Sequence, residues 1–168
     1  MGCGSSSSGK AMPALSDDQK QIIKDSWNSF KAKNAGADFN FGVFIFVKMF
    51  ELSPDVIPLF EFLKGIDTND VNVLSESGQM QMHIGRVIST IDTAVQNVDN
   101  LSPVAPVVVK LGARHQGYGA KAEHCSSVAC GVLYALEKAL GDEFTTEVNR
   151  AWSMYLQNLA RFMLSAYK

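Results

Sequence analysis

The chain has 168 residues, a length that fits one domain with little left for a second. Charged residues make up 19% and apolar residues 46%, which suits one well-filled core and argues against wholesale disorder. Fifteen Lys and Arg against seventeen Asp and Glu give a formal charge of −2; without a basic run or surplus, nucleic acid is not an expected partner.

Three cysteines, Cys3, Cys125 and Cys130, are too few and too scattered for a disulfide framework. On a helix Cys125 and Cys130 would lie about 140° apart and could not bridge each other, so a reducing compartment is the simpler expectation. No run approaches the roughly 18 apolar residues of a membrane span, and the N-terminus lacks the apolar core of a signal peptide. The chain is expected on the cytoplasmic side.

Seven of the first nine residues are Gly or Ser, so residues 1–14 read as a flexible tail and 15–168 as the folded domain. Ser16-Asp17-Asp18-Gln19 is a capping box, and the helix behind it should bury Ile22, Ile23, Trp27 and Phe30. Residues 38–51 place Phe39, Val43, Phe46, Val47 and Phe50 at helical spacing, although Phe41 and Phe44 thicken the aromatic run enough to suggest a strand. Ser53-Pro54 reads as an N-cap followed by Pro at the first helical position, with an irregular stretch through Gly65 and Asn69 behind it. From about Ser75 to Val95 the apolar residues Met80, Ile84, Val87, Ile88, Ile91 and Val95 mark one buried helical face. Ser102-Pro103 opens a further helix to His115. Its run Val107-Val108-Val109 has poor helix propensity and must rely on packing. Helices over about 121–140 and 145–166 complete the chain, the last with Val148, Trp152, Tyr155, Leu159, Phe162 and Met163 on one stripe. The fold class is all-α.

His83, His115 and His124 are the chain's histidines. His83 falls on the apolar stripe of its helix, where a polar ring costs free energy unless something binds it, and Arg86 and Val87 share that face. Taken singly, a histidine on an apolar face is more often a hydrogen-bonded core residue than a ligand. A zinc site from His115, His124, Cys125 and Cys130 fits no closed zinc spacing; His124 is expected near a helix start, polar and partly exposed.

The constellation says more. Trp27 lies in the first helix, Pro54 opens a short helix, and Phe60 follows; His83 lies 23 residues beyond Phe60, and His115 lies 32 beyond His83. This landmark order resembles the globin family. The segments LGARHQGYGAK, VLYALEKALGDEFT and RAWSMYLQNL are similar to the neuroglobin and globin X branches, and the resemblance spans about residues 15–166. It implies a three-over-three helical sandwich of about eight helices holding haem. Carried over residue by residue, His115 is the proximal iron ligand and His83 the distal one. Phe60 stacks on the porphyrin, Val87 faces the iron, Phe46 roofs the distal pocket, and Leu111 and Val128 pack the proximal and lower surfaces. Arg86 is placed for a haem propionate. With no Cys-x-x-Cys-His present, the haem is expected to be a non-covalent b type. Unlike neuroglobin, the chain has no cysteine between Trp27 and His83, so a thiol switch there does not carry over. Cys125 and Cys130 both read as buried, inert thiols.

Met1-Gly2-Cys3-Gly4-Ser5-Ser6 fits the N-myristoylation pattern with Gly2 as acceptor, and Cys3 is placed for S-palmitoylation. The alternative is an unstructured extension or a cloning remnant. Globin X includes N-terminally acylated, membrane-attached members, so the resemblance favours an address. It further implies dioxygen, carbon monoxide and nitric oxide as ligands, with His83 closing the sixth iron position at rest. Three jobs suit such a protein: electron transfer with a reductase, turnover as a nitric oxide dioxygenase or nitrite reductase, or sensing read by a signalling partner. Dioxygen storage or transport at an open, pentacoordinate iron is the competing reading.

Overall fold

The computed structural model describes residues 13–35 and 40–168; the acylation pattern at Gly2 and Cys3, and the predicted helical position of Phe39, lie outside the described residues. Helix α1 (Asp17–Ala35) begins as its sequence predicts. The Gln19 N–H donates to Ser16 Oγ at 3.2 Å, and the Ser16 N–H donates back to Gln19 Oε1 at 2.9 Å, so both donors are satisfied reciprocally. Its inner face buries Ile23, Trp27 and Phe30, with Ile22 half-buried.

The thick aromatic run is a helix, α2 (Val43–Leu52), which begins later than the spacing predicts. Two asparagine side chains hold the backbone before it in turns. The Phe41 N–H donates to Asn34 Oδ1 at 2.7 Å, and the Gly42 N–H to Asn40 Oδ1 at 2.9 Å; such bonds compete with helix formation. After α2 the chain tightens into a 3₁₀ turn, Pro54–Leu59. Ser53 does not cap it. Its hydroxyl instead meets that of Ser127 at 2.6 Å in the interior, giving each buried oxygen a partner. A second 3₁₀ turn, Glu61–Leu63, leads to Gly65 at φ +83°.

The helix predicted from about Ser75 divides in two. Asp70 caps α3 (Val71–Glu76) by accepting from the Asn72 and Val73 N–H groups. Ser77 then caps α4 (Gly78–Gln96) by accepting from Met80, because a Ser followed by Gly restarts a helix as readily as it continues one. The stripe Met80, Ile84, Ile91 and Val95 is buried, with Val87 and Ile88 half-buried. Helix α5 (Ala105–Gly117) starts after Ser102-Pro103, with Pro106 in its first turn. Helix α6 (Ala122–Leu140) and helix α7 (Thr146–Leu164), capped by Thr145, follow the predicted bounds closely.

The helices pack chiefly as α2 on α6, α5 on α7, and α1 on α7, α6 and α4. Two crossings are close enough to require glycine. A Cβ on Gly131 in α6 would overlap the Ile45 carbonyl oxygen of α2, and one on Gly112 in α5 would overlap that of Met163 in α7. Under α1 and α7, Trp27 stacks on Phe30 at 5.0 Å and meets Trp152 at 5.7 Å. The indole N–H groups donate to Asp92 and to Ser26, each at 2.8 Å, so neither buried donor is orphaned. Among the described residues there is no strand, and no helix is long and apolar enough to cross a membrane.

Candidate functional site

Helices α4 and α5 bring His83 and His115 close enough for their charges to interact. His115 lies in the last turn of α5, and its Nδ1 is 2.9 Å from the Leu111 carbonyl oxygen four residues back. A carbonyl can only accept, so Nδ1 carries the proton and Nε2 keeps its lone pair. The Leu111 backbone thus fixes both the tautomer and the ring's orientation.

His83 is wedged edge-on between two aromatic rings, Phe46 at 5.3 Å and Phe60 at 5.4 Å. Among the described residues neither of its ring nitrogens has a hydrogen-bond partner. Burial holds its pKa below the usual 6.5, with smaller contributions from charge on His115 and on Arg86. The ring is therefore neutral at pH 7, and it stands close enough to His115 for their charges to interact. A half-buried imidazole without a hydrogen-bond partner among the described residues, near a second whose tautomer is fixed, makes the pair candidate nitrogen donors for a metal centre.

The lining is apolar. Phe46 is buried, while Phe60, Val87, Leu111 and Val128 are half-buried, unlike Trp27 and Trp152, which are sealed in the core. Phe60 is held by Phe50 at 5.3 Å and Phe62 at 5.9 Å. Arg86 is exposed on the same face of α4, and no carboxylate of the described residues pairs with it. Three features escaped the sequence reading. The bracing by Phe62 was signalled by the spacing Phe60-x-Phe62. The Leu111 carbonyl was signalled by the four-residue interval to His115, and Tyr118, whose ring lies 6.1 Å from that of His115, by its place three residues on.

The zinc grouping does not assemble. His124 is at the start of α6, as expected, but buried at 4% exposure rather than partly exposed. Its Nδ1 accepts the Lys121 N–H at 3.1 Å, closing the helix end, and its Nε2 lies 3.2 Å from Asp55 Oδ2. Asp55, Glu123 and His124 each bring a ligand atom within 4.8 Å of the others, yet both imidazole nitrogens are committed and Lys121 Nζ already sits 2.7 Å from Asp55. The cluster is an ion-paired helix cap. Burial pushes the Cys125 thiol up to about 11, which leaves it protonated and inert; Cys130, expected as a second inert thiol in a reducing compartment, is instead disulfide-bonded.

Comparison with known proteins agrees with this architecture. The family model described as Globin matches residues 43–163. The neuroglobins of Danio rerio and Tetraodon nigroviridis are each 32% identical to the chain over 145 residues, covering 86% of it and 87% of the relative. The crystal structure of a hexacoordinated haem protein from an anhydrobiotic tardigrade, at pH 4, superposes with a TM-score of 0.80, covering 93% of this chain and 96% of that one at 19% identity. That likeness shows the fold. The chain belongs to the globin family. Membership implies haem as the group the site receives and diatomic gases as its ligands. The residues present fit such a group in kind: two imidazole donors within electrostatic reach of each other, apolar side chains around His83, and an exposed guanidinium for its carboxylates.

Proposed function

We propose that the chain is a hexacoordinate b-type haem globin, with His115 as the proximal iron ligand and His83 closing the opposite position at rest. The observation that carries this reading is His83 itself, neutral, wedged between Phe46 and Phe60, without a hydrogen-bond partner among the described residues and near enough to the oriented ring of His115 for their charges to interact. When bound, the haem supplies reversible binding of dioxygen, carbon monoxide or nitric oxide and one-electron redox chemistry.

The chain's residues do the rest. The Leu111 carbonyl orients His115 and makes its Nε2 a better donor. Phe60, Val87, Leu111 and Val128 would supply the apolar walls that hold the haem, with Val87 on the side of His83 and Leu111 on that of His115. Arg86 would take a propionate through its guanidinium fork. With His83 as a competing ligand, apparent affinity for an external ligand would be reduced in proportion to the fraction of sites that His83 leaves open. Two imidazole ligands would suit one-electron redox chemistry. That suits a redox, nitric-oxide-handling or sensing role better than storage. Gly2 and Cys3 supply an acylated tether to the cytoplasmic face of a membrane, on the strength of their sequence pattern.

The test is the visible spectrum of the ferrous protein without external ligand, for wild type and for His83→Leu. Sharp, split low-spin bands in the wild type that give way to a broad high-spin band in the variant, with faster carbon monoxide capture, are expected. A high-spin wild type with unchanged capture in the variant would overturn the reading in favour of an open, dioxygen-storing site.

A further inference from the structure

Helix α5 leaves one of its faces uncovered. Val107, Lys110, Arg114 and Tyr118 recur at intervals of three and four, so they form one stripe. All four are exposed, Val107 at 59% and Tyr118 at 69%. Leu59, 38% exposed, extends the stripe where it lies beside Gly119. The buried face of the helix, with Val108 and Gly112, points elsewhere. From Asn100 to Ala122 the chain contains no Asp or Glu, and no carboxylate of the described residues pairs with Lys110 or Arg114. An exposed valine or tyrosine alone needs no explanation. Aligned with two unpaired cations, they form a surface whose charges suit anionic headgroups and whose apolar side chains suit the layer just beneath.

The position of the tail supports the same occupant. The Pro13 carbonyl accepts from Asn158 Nδ2 at 3.0 Å, so the described chain starts on α7, the helix against which α5 packs at Gly112 and Met163. Asn158 is about 7.5 Å along the axis from Met163, and a helix is about 10 Å across. The chain preceding Pro13 spans up to about 40 Å when extended, enough to carry an acyl group on Gly2 past α5 to a bilayer lying on the stripe.

We propose that the α5 stripe is a docking surface for an anionic lipid leaflet and acts as a further membrane signal beside acylation of the tail; it rests on the acylation reading of Gly2. One myristoyl chain binds with K on the order of 10⁴ M⁻¹, too weak alone for stable anchoring. Lys10 is the tail's one cation. Lys110 and Arg114 each add about fivefold on an anionic surface, roughly thirtyfold together. Docking here sets the Tyr118 end of α5, and with it the segment that carries His115, against the membrane.

The test uses the full-length, haem-loaded chain, myristoylated enzymatically and checked by intact mass, with vesicles of phosphatidylcholine alone or mixed with phosphatidylserine. Wild type should bind the mixed vesicles at least about thirtyfold more tightly, and the preference should shrink as salt rises. The double variant Lys110→Gln, Arg114→Gln should show that preference reduced about thirtyfold, and the triple variant Lys10→Gln, Lys110→Gln, Arg114→Gln should bind both vesicles alike, each with an unchanged haem spectrum. If Gly2 is not modified, the tether reading falls; the same ratio is then read with the chain held on a nickel-chelating lipid through an N-terminal histidine tag. Equal binding of wild type to both vesicles, or a preference undiminished in the double variant, overturns the proposal. Salt-sensitive binding to polyglutamate without a phosphatidylserine preference overturns it in favour of an acidic protein partner.

Discussion

Replacing Gly131 by Ala tests the packing that places the distal side of the site. An added Cβ would overlap the Ile45 carbonyl oxygen and lie 3.0 Å from Ile45 C and 3.2 Å from its Cα. All three are backbone atoms, so no rotamer change relieves the clash, and α2 must move away from α6. Overpacking of this kind costs about 1–3 kcal/mol, at the upper end when nothing can yield. Alanine's better helix propensity returns about 1 kcal/mol. The net loss is about 2 kcal/mol, or a fall in Tm of about 4–8 °C for a chain of this length. Gly85, exposed in α4 with nothing near its missing Cβ, is the control: Ala there should stabilise by about 0.5–1 kcal/mol. Thermal melts followed by far-UV circular dichroism decide it. A Gly131→Ala protein that melts at or above the wild type, or a Gly85→Ala protein that loses as much, refutes the reasoning.

Two further outcomes follow from buried polar groups. The Tyr155 hydroxyl is buried without a hydrogen-bond partner among the described residues, and burial pushes its pKa up; Tyr155→Phe should therefore raise stability by about 1 kcal/mol, and a lower urea midpoint would contradict this. His83 is held below its usual pKa of 6.5, so below pH 6.5 the unfolded chain takes up a proton that the native chain refuses. Stability of the haem-free protein should fall with pH in that window, by at most about 1.4 kcal/mol per pH unit from this group; urea titrations from neutral pH downward should show the slope flatten in His83→Leu, and an unchanged slope would rule this cause out.

Much of the fold was legible because helices announce themselves by period and cap. The box at Ser16 and Gln19, the stripe of α4 and that of α7 behave as their spacing implies, since burial of one apolar face outweighs local preference. The misreadings fall where side chains bond backbone in ways that periodicity does not carry. Asn34 and Asn40 delay α2, Asp70 and Ser77 cut one expected helix into two, and Ser53 gives its hydroxyl to Ser127 instead of a cap. The last of these joins positions far apart in the chain, so no local pattern encodes it. His124 follows the same logic: its neighbours suggested an exposed helix start, but Asp55, brought in from the turn after α2, seals it.

The site was legible in its ligand candidates and much less so in its walls. Two histidines on helical faces stand out because a polar ring among apolar residues needs a partner. Phe46, Phe60, Val87, Leu111 and Val128 read as core; family resemblance is what proposes them as walls, and the half-burial of the last four, but not the full burial of Phe46, sets them apart from the sealed core. The two roles are physically one. Ile45, whose carbonyl presses on Gly131, is followed by Phe46, whose ring presses on His83. The helix crossing that stabilises the fold therefore also sets how tightly His83 is held. If the crossing opens in Gly131→Ala, the Phe46 wedge loosens and a larger fraction of sites stands open, so ligand capture should quicken as stability falls. Lost stability without any change in capture would mean that the wedge is set elsewhere, by the bracing of Phe60 between Phe50 and Phe62.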